Sequence, residues 1–189
     1  MTFSALLLAG GESRRMGRDK ATMEFEGRAL WERQAELLRA LGPEKIFVSA
    51  RTAPAWIPDD VELLLDDPPS RGPISGLAKA ISAMSTTHLI VLAVDMPFTT
   101  PAEFRRLLEL VGDDFGVVPT IRDRAEPLAA IYPATAAADF QAALAGSDWS
   151  LQSVARKLAE GGKIKLWAML DANLYRSVNE PGDFQEFDA

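Results

Sequence analysis

Six short apolar runs, spaced by amphipathic stretches, constrain the fold of this chain more than any other feature. The runs are Phe3–Leu8, Lys45–Ser49, Val61–Leu65, Leu89–Val94, Phe115–Pro119 and Leu128–Tyr132. Each has the length and bulk of a buried strand. In Leu30–Leu41 the apolar residues Leu30, Trp31, Ala35, Leu37, Leu38 and Leu41 recur near a helical period, and Gly42-Pro43 stops the helix. Leu77–Met84, Ala136–Leu144 and Leu151–Leu158 read as further helices. Thr100-Pro101-Ala102-Glu103 opens another: Thr100 caps, Pro101 takes the first helical position and Glu103 completes a capping box. Strands alternating with helices predict a three-layer α/β domain spanning residues 1–189, built on a mostly parallel sheet covered on both faces. The alternation lapses after Pro119, where Thr120–Pro127 reads as a hairpin-like excursion. Some antiparallel pairing is therefore expected late in the chain. Lys163–Ala168 reads as a late strand and Pro181–Phe187 as a terminal helix.

The first strand leads into Ala9-Gly10-Gly11-Glu12-Ser13-Arg14-Arg15-Met16-Gly17-Arg18-Asp19-Lys20. Open α/β sheets bind ligands at the carboxyl ends of their strands. Gly10 and Gly11 let the backbone turn sharply and come close to a ligand, and amides exposed in such a turn cradle anions. Arg14, Arg15, Arg18 and Lys20 crowd four cations into this loop, although the chain carries a net charge of −7. Guanidinium groups grip phosphate in bidentate fashion, and lysine adds a compact charge. The segment matches neither the Walker A pattern nor the G-x-G-x-x-G dinucleotide fingerprint.

Asp95 follows the run Leu89–Val94 and precedes Met96-Pro97. From local sequence two readings stay open: a carboxylate that holds Mg²⁺ beside bound phosphates, or an Asp that caps its own turn. Asp66 and Asp67 follow Val61–Leu65 in the same way, ahead of Pro68-Pro69, and could equally be a solvated loop entry. Gly72–Gly76 is a glycine-bounded turn feeding a helix, either a nucleotide contact or a plain connector. Arg122, Arg124 and Glu126 in the late excursion are acceptor contacts or solvated loop charges. His88 reads as structural. Trp31, Trp56, Trp149 and Trp167 are too widely spaced to suggest a nucleic-acid stacking array.

Composition removes whole classes of function. With no Cys, disulfides, zinc thiolate sites and thiol nucleophiles are excluded, and one His excludes a multi-histidine metal site. The acidic balance offers no field for nucleic acid or anionic lipid. Runs such as Leu89–Val94 fall far short of the roughly 20 apolar residues a membrane span needs. Met1-Thr2-Phe3-Ser4 lacks the basic segment of a secretory signal, so a cytoplasmic location is expected.

The pattern L-A-G-G-x-S-x-R-M-G-x-x-K from Leu8 to Lys20 resembles the signature of the MobA-like nucleotidyltransferases. The resemblance continues through Gly72–Leu77, Val94–Pro97, Glu126–Ala130 and Ser177–Pro181, and so spans nearly the whole chain in order. It implies a Rossmann-like nucleotide-diphospho-sugar transferase fold. It also implies Mg²⁺-dependent transfer of GMP from GTP to molybdopterin, with other cofactor-biosynthesis or molybdoenzyme-maturation proteins as possible partners. By this resemblance Arg15, Lys20 and Asp95 are catalytic, and Asp95 is the metal ligand. The implied nucleotide contacts are Leu8, Ala9, Gly10, Gly11, Ser13, Arg15, Lys20, Ser49, Asp67, Gly72, Gly76 and Asp95. Arg14 and Arg18 are secondary phosphate contacts, the Leu8–Gly10 backbone faces the base, and Asn179 meets the metal or the acceptor. Family members often carry Asn where this chain has Ser49. Cytidylyl-transferring cousins tend to read L-A-A-G, so Gly10-Gly11 favours guanine. The alternatives are cytidylyl transfer to molybdopterin, a sugar- or polyol-phosphate nucleotidyltransferase, and a non-catalytic GTP-binding module.

Overall fold

The computed structural model describes residues 1–10, 19–179 and 183. Its strands are β1 (Phe3–Leu8), β2 (Glu24–Phe25), β3 (Arg28–Ala29), β4 (Ile46–Ala50), β5 (Glu62–Leu65) and β6 (His88–Ala93), then β7 (Gly116–Ile121), β8 (Arg124–Ala125), β9 (Ala129–Pro133) and β10 (Ile164–Ala168). The helices are α1 (Leu30–Arg39), α2 (Pro73–Ala83), α3 (Pro101–Leu110), α4 (Ala137–Ala145) and α5 (Leu151–Glu160). One sheet runs in the order β10-β7-β9-β6-β1-β4-β5, with β8 paired to β7. Strands β6, β1, β4 and β5 are mutually parallel, as are β10 and β7. The antiparallel pairing sits late in the chain: β9 runs against both β6 and β7.

Side-chain alternation along the buried strands supplies a core to each face. Leu6, Leu8, Phe47, Leu89 and Val91 face one way and pack with Ile74, Leu77 and Ile81 of α2, Phe140 of α4 and Leu158 of α5. Their neighbours Ala5, Leu7, Val48, Ile90 and Leu92 face the other way, against Leu30 and Leu38 of α1 and Phe104 and Leu107 of α3. His88 opens β6 fully buried, its Nδ1 at 2.9 Å from the Thr87 hydroxyl. Burial pushes its pKa down, which keeps it neutral, and its setting is structural.

The excursion Thr120–Pro127 is a tight hairpin. Ile121 pairs with Arg124, and Arg122 and Asp123 both take positive φ, as a two-residue mirror-image turn requires. A second hairpin, β2–β3, has no counterpart in the sequence reading; Glu26 and Gly27 form its turn, again both at positive φ. The predicted terminal helix Pro181–Phe187 lies outside the described residues apart from Asp183.

The connector expected at Gly72–Gly76 is mostly helix. Pro73 occupies the first helical position of α2, and Gly72 precedes it with φ 79° and ψ −154°, a conformation suited to glycine. Gly76 is a helical residue whose smallness lets α2 approach the sheet. A Cβ there would lie 2.2 Å from Ser49 Oγ and 2.9 Å from Leu8 Cδ2. Because Ser49 and Leu8 are themselves buried, they have little room to give way. Gly76→Ala is expected to destabilise the fold by about 1–3 kcal/mol through overpacking, measured by denaturant unfolding.

Candidate active site

Parallel pairing brings three carboxyl ends to one edge. Leu8 lies opposite Ser49 on one side and Ala93 on the other. The Leu8 carbonyl accepts from Val94 N–H, and Ala9 N–H donates to the Ser49 carbonyl. Leu8 is thus buried and committed to the sheet, whereas Ala9 and Gly10 reach the surface. Gly11, Ser13, Arg14, Arg15 and Arg18 lie outside the described residues.

Lys20 returns the chain to this edge on a 3-10 turn, Lys20–Thr22. Asp19 caps the turn by accepting from Ala21 N–H at 3.0 Å, and its other oxygen accepts from Trp56 Nε1 at 2.9 Å. Trp56 in turn stacks on Trp31 of α1, with ring centroids 5.1 Å apart. From this base Lys20 Nζ reaches Asp95 Oδ2 at 3.3 Å and Asn179 Oδ1 at 2.7 Å. Asp95 and Asn179, which lie 75 and 159 residues along the chain from Lys20, therefore share its ammonium group. All three are partly open to solvent.

Two anchors hold the Asp95 turn. From α1, Gln34 Nε2 donates to the Met96 carbonyl at 2.6 Å and Arg33 Nε to the Pro97 carbonyl at 3.1 Å. On the opposite side Val178 N–H donates to the Asp95 carbonyl at 2.7 Å. That contact carries Asn179 to the site, and Asn179 N–H is tied in turn to Asp183 at 2.6 Å. Upstream, Tyr175 donates to the buried Glu103 carboxylate at 2.6 Å. Burial, and then the Glu103 charge, push the Tyr175 pKa up, so the hydroxyl stays a donor. Sequence reasoning missed these supports. The available signal was polar Gln34 inside the apolar stripe of α1, where it is fully buried.

The second acidic pair divides. Ser49, expected to touch nucleotide, is buried, and its hydroxyl donates to Asp66 Oδ1 at 3.1 Å. Ser70 donates to the other Asp66 oxygen at 2.6 Å. Asp67, the residue singled out by resemblance, turns outward. Its side chain is 88% exposed and pairs with Lys79 of α2 at 3.0 Å. Gly72 sits beside Asp66, its N–H 3.4 Å from Ser70 Oγ. The structure thus joins Lys20, Asp95 and Asn179 in one cluster and Ser49, Asp66, Ser70 and Gly72 in a second at the neighbouring strand end.

Among the described residues no three Asp, Glu or His side chains gather in one place. A divalent cation at Asp95 would therefore share few protein oxygens, in keeping with the preference of Mg²⁺ for water and phosphate oxygens. The residues fit such an ion: Asp95 and Asn179 already aim oxygens at a cationic group, the Lys20 ammonium. Beside Asp95 opens a cavity of about 400 Å³, lined by Arg124, Glu126, Trp149, Gln152, Tyr175 and Ser177 among others.

Residues 5–161 match the family model described as MobA-like NTP transferase domain. A protein of Opitutus terrae named "probable molybdenum cofactor guanylyltransferase" is 36% identical over 92% of this chain and 87% of its own length. The molybdenum cofactor guanylyltransferase of Cereibacter sphaeroides is 32% identical over 97% of this chain and 94% of its own. Among solved structures, molybdopterin-guanine dinucleotide biosynthesis protein A from Archaeoglobus fulgidus superposes with a TM-score of 0.74 at 21% identity, covering 96% and 94% of the two chains. A 2-C-methyl-D-erythritol 4-phosphate cytidylyltransferase from Thermus thermophilus gives 0.68 at 16%, covering 95% and 94%. Identities this low establish the shared fold alone.

Tyr175→Phe should leave the buried Glu103 carboxylate short of a charge-assisted donor. The expected cost is about 1–3 kcal/mol of folding stability, read from denaturant midpoints at constant slope.

Proposed function

We propose that this chain, which belongs to the MobA-like NTP transferase family, transfers GMP from GTP to molybdopterin with Mg²⁺ as the resident cation. The observation that carries the reading is the meeting of Lys20 with Asp95 and Asn179 at the carboxyl ends of β1 and β6. A nucleotidyltransferase needs there a cation for phosphate and a carboxylate for a metal ion. The names of the relatives supply the acceptor and the base.

In the reaction a terminal phosphate oxygen of molybdopterin forms a bond to the α-phosphorus of GTP. The bond from that phosphorus to the β-bridging oxygen breaks, and pyrophosphate leaves. The nucleophile is already anionic, so no general base is required. The barrier lies in bringing two polyanions together and in the charge gathering on the leaving group. Positioning and charge neutralisation are therefore the work to be done. Lys20 supplies a positive charge to the triphosphate, with Arg15 assigned the same role, and Arg14 and Arg18 secondary ones. Asp95 and Asn179 would hold Mg²⁺, which when bound neutralises phosphate charge. Ala9, Gly10 and the Gly72 end of α2 contribute backbone to the nucleotide side. Asp66, held by Ser49 and Ser70, is the acidic group at that strand end; Ser49 acts through it. The reading places the enzyme in the cytoplasm. Among the described residues no helix is long and apolar enough to cross a membrane.

Lys20→Ala and Asp95→Ala should each lower turnover by on the order of 10³-fold while keeping the fold. Pyrophosphate release from GTP with molybdopterin present, alongside thermal unfolding, measures both. Near-normal turnover in either variant contradicts the assignment, and faster release from CTP than from GTP would move the base preference to cytosine.

A further inference from the structure

The cavity beside Asp95 contains an acidic group whose local setting is unusual. Glu126 is held from several directions. Its N–H donates to the Pro119 carbonyl at 2.8 Å, and its carbonyl accepts from Ala129 N–H at 3.2 Å. On either side, Gln152 of α5 donates to the Ala125 carbonyl at 2.7 Å, and Tyr132 donates to the Pro127 carbonyl at 2.9 Å. The residue is half-buried, yet among the described residues no hydrogen bond reaches its carboxylate. Burial pushes its pKa up, and Arg124 partly offsets this. A rigid, underbonded acceptor facing a cavity calls for a ligand with N–H donors.

Trp149 provides the second half of the wall. It belongs to the segment between α4 and α5, and its Nε1 donates to the Gly146 carbonyl at 3.0 Å. The Arg71 guanidinium lies 4.8 Å from its ring centroid, a cation–π contact that steadies the indole from the α2 side. The residue is still 44% exposed and lines the same cavity as Glu126. An anchored indole beside a carboxylate suits a flat heterocycle that carries donors along one edge.

We propose that Glu126 and Trp149 bind the heterocycle of the acceptor, a fused ring with a 2-amino-4-oxopyrimidine edge. Glu126 accepts from the exocyclic amine and the adjacent ring N–H, and Trp149 stacks on the ring. The assignment rests on the acceptor being molybdopterin, whose pterin presents that edge. Guanine presents the same edge, so the base of GTP is the competing source. Position favours the acceptor: Arg124, Glu126 and Gln152 stand on the β8–β9 and α5 side of Asp95, and neither Gly10 after β1 nor Asp66 after β5 lines the cavity, whose border with the nucleotide side is Pro73 of α2.

The test measures binding of 6-hydroxymethylpterin and of GTP separately, by titration calorimetry, alongside steady-state transfer to molybdopterin. Wild-type protein is compared with Glu126→Gln, Glu126→Asp and Trp149→Ala, each checked by thermal unfolding. Glu126→Gln and Trp149→Ala should weaken the pterin about 10-fold or more and raise the KM for molybdopterin similarly, with GTP affinity within about two-fold. Glu126→Asp, which keeps the charge, should fall between. Failure of the wild type to bind the pterin, unchanged pterin affinity in both variants, or a loss confined to GTP overturns the proposal. Pterin binding that depends on Glu126, in a protein that does not use molybdopterin as acceptor, upholds the wall and refutes the proposed reaction. Turnover with a molybdopterin KM indifferent to both residues does the reverse.

Discussion

Parallel pairing of β1 between β4 and β6 is the constraint from which the site follows. Because those three strands point the same way, their carboxyl ends emerge on one edge of the sheet. The loops that leave them must then share that edge, whatever their own sequences prefer. Buried branched side chains on both faces fix the register, since a one-residue slip would exchange the two cores. The meeting of Lys20 and Asp95 thus follows from sheet geometry, and the Val178 contact with Asp95 adds Asn179. Local capping by Asp19 and anchoring by Gln34 and Val178 then set the distances.

Much of this was legible in the sequence because the responsible signals are local. Phe3–Leu8 and Leu89–Val94 announce strands by apolar run alone, and Thr100-Pro101-Ala102-Glu103 announces a helix start by capping chemistry; Thr100 does accept from Glu103 N–H. The late antiparallel strands were legible through the missing crossover helix. What stayed hidden depends on tertiary contact. The Gly72–Gly76 turn became the start of α2 because Pro73 fits a first helical turn, while the need for Gly76 is visible only once Ser49 and Leu8 lie beneath it. The tryptophans looked unconnected along the chain, yet Trp31 and Trp56 stack and brace Asp19.

The acidic pair shows the same limit at the site. Adjacent residues leaving a strand point to different sides, and no local signal says which points inward. Family resemblance pointed to Asp67 ahead of Asp66; Asp67 pairs with Lys79 at the surface, where a ligand can reach it, and Asp66 is held by Ser49 and Ser70. Ser49 has a physical reading in this setting. A short hydroxyl fits beneath Gly76 and orients a neighbouring carboxylate.

A crystal structure with GTP and Mg²⁺ bound tests the central claim most directly. The account predicts that the Lys20 ammonium leaves Asp95 and Asn179 for the triphosphate, and that both freed oxygens turn to the cation. A complex in which Lys20 remains paired with Asp95 while the phosphates lie elsewhere would contradict it.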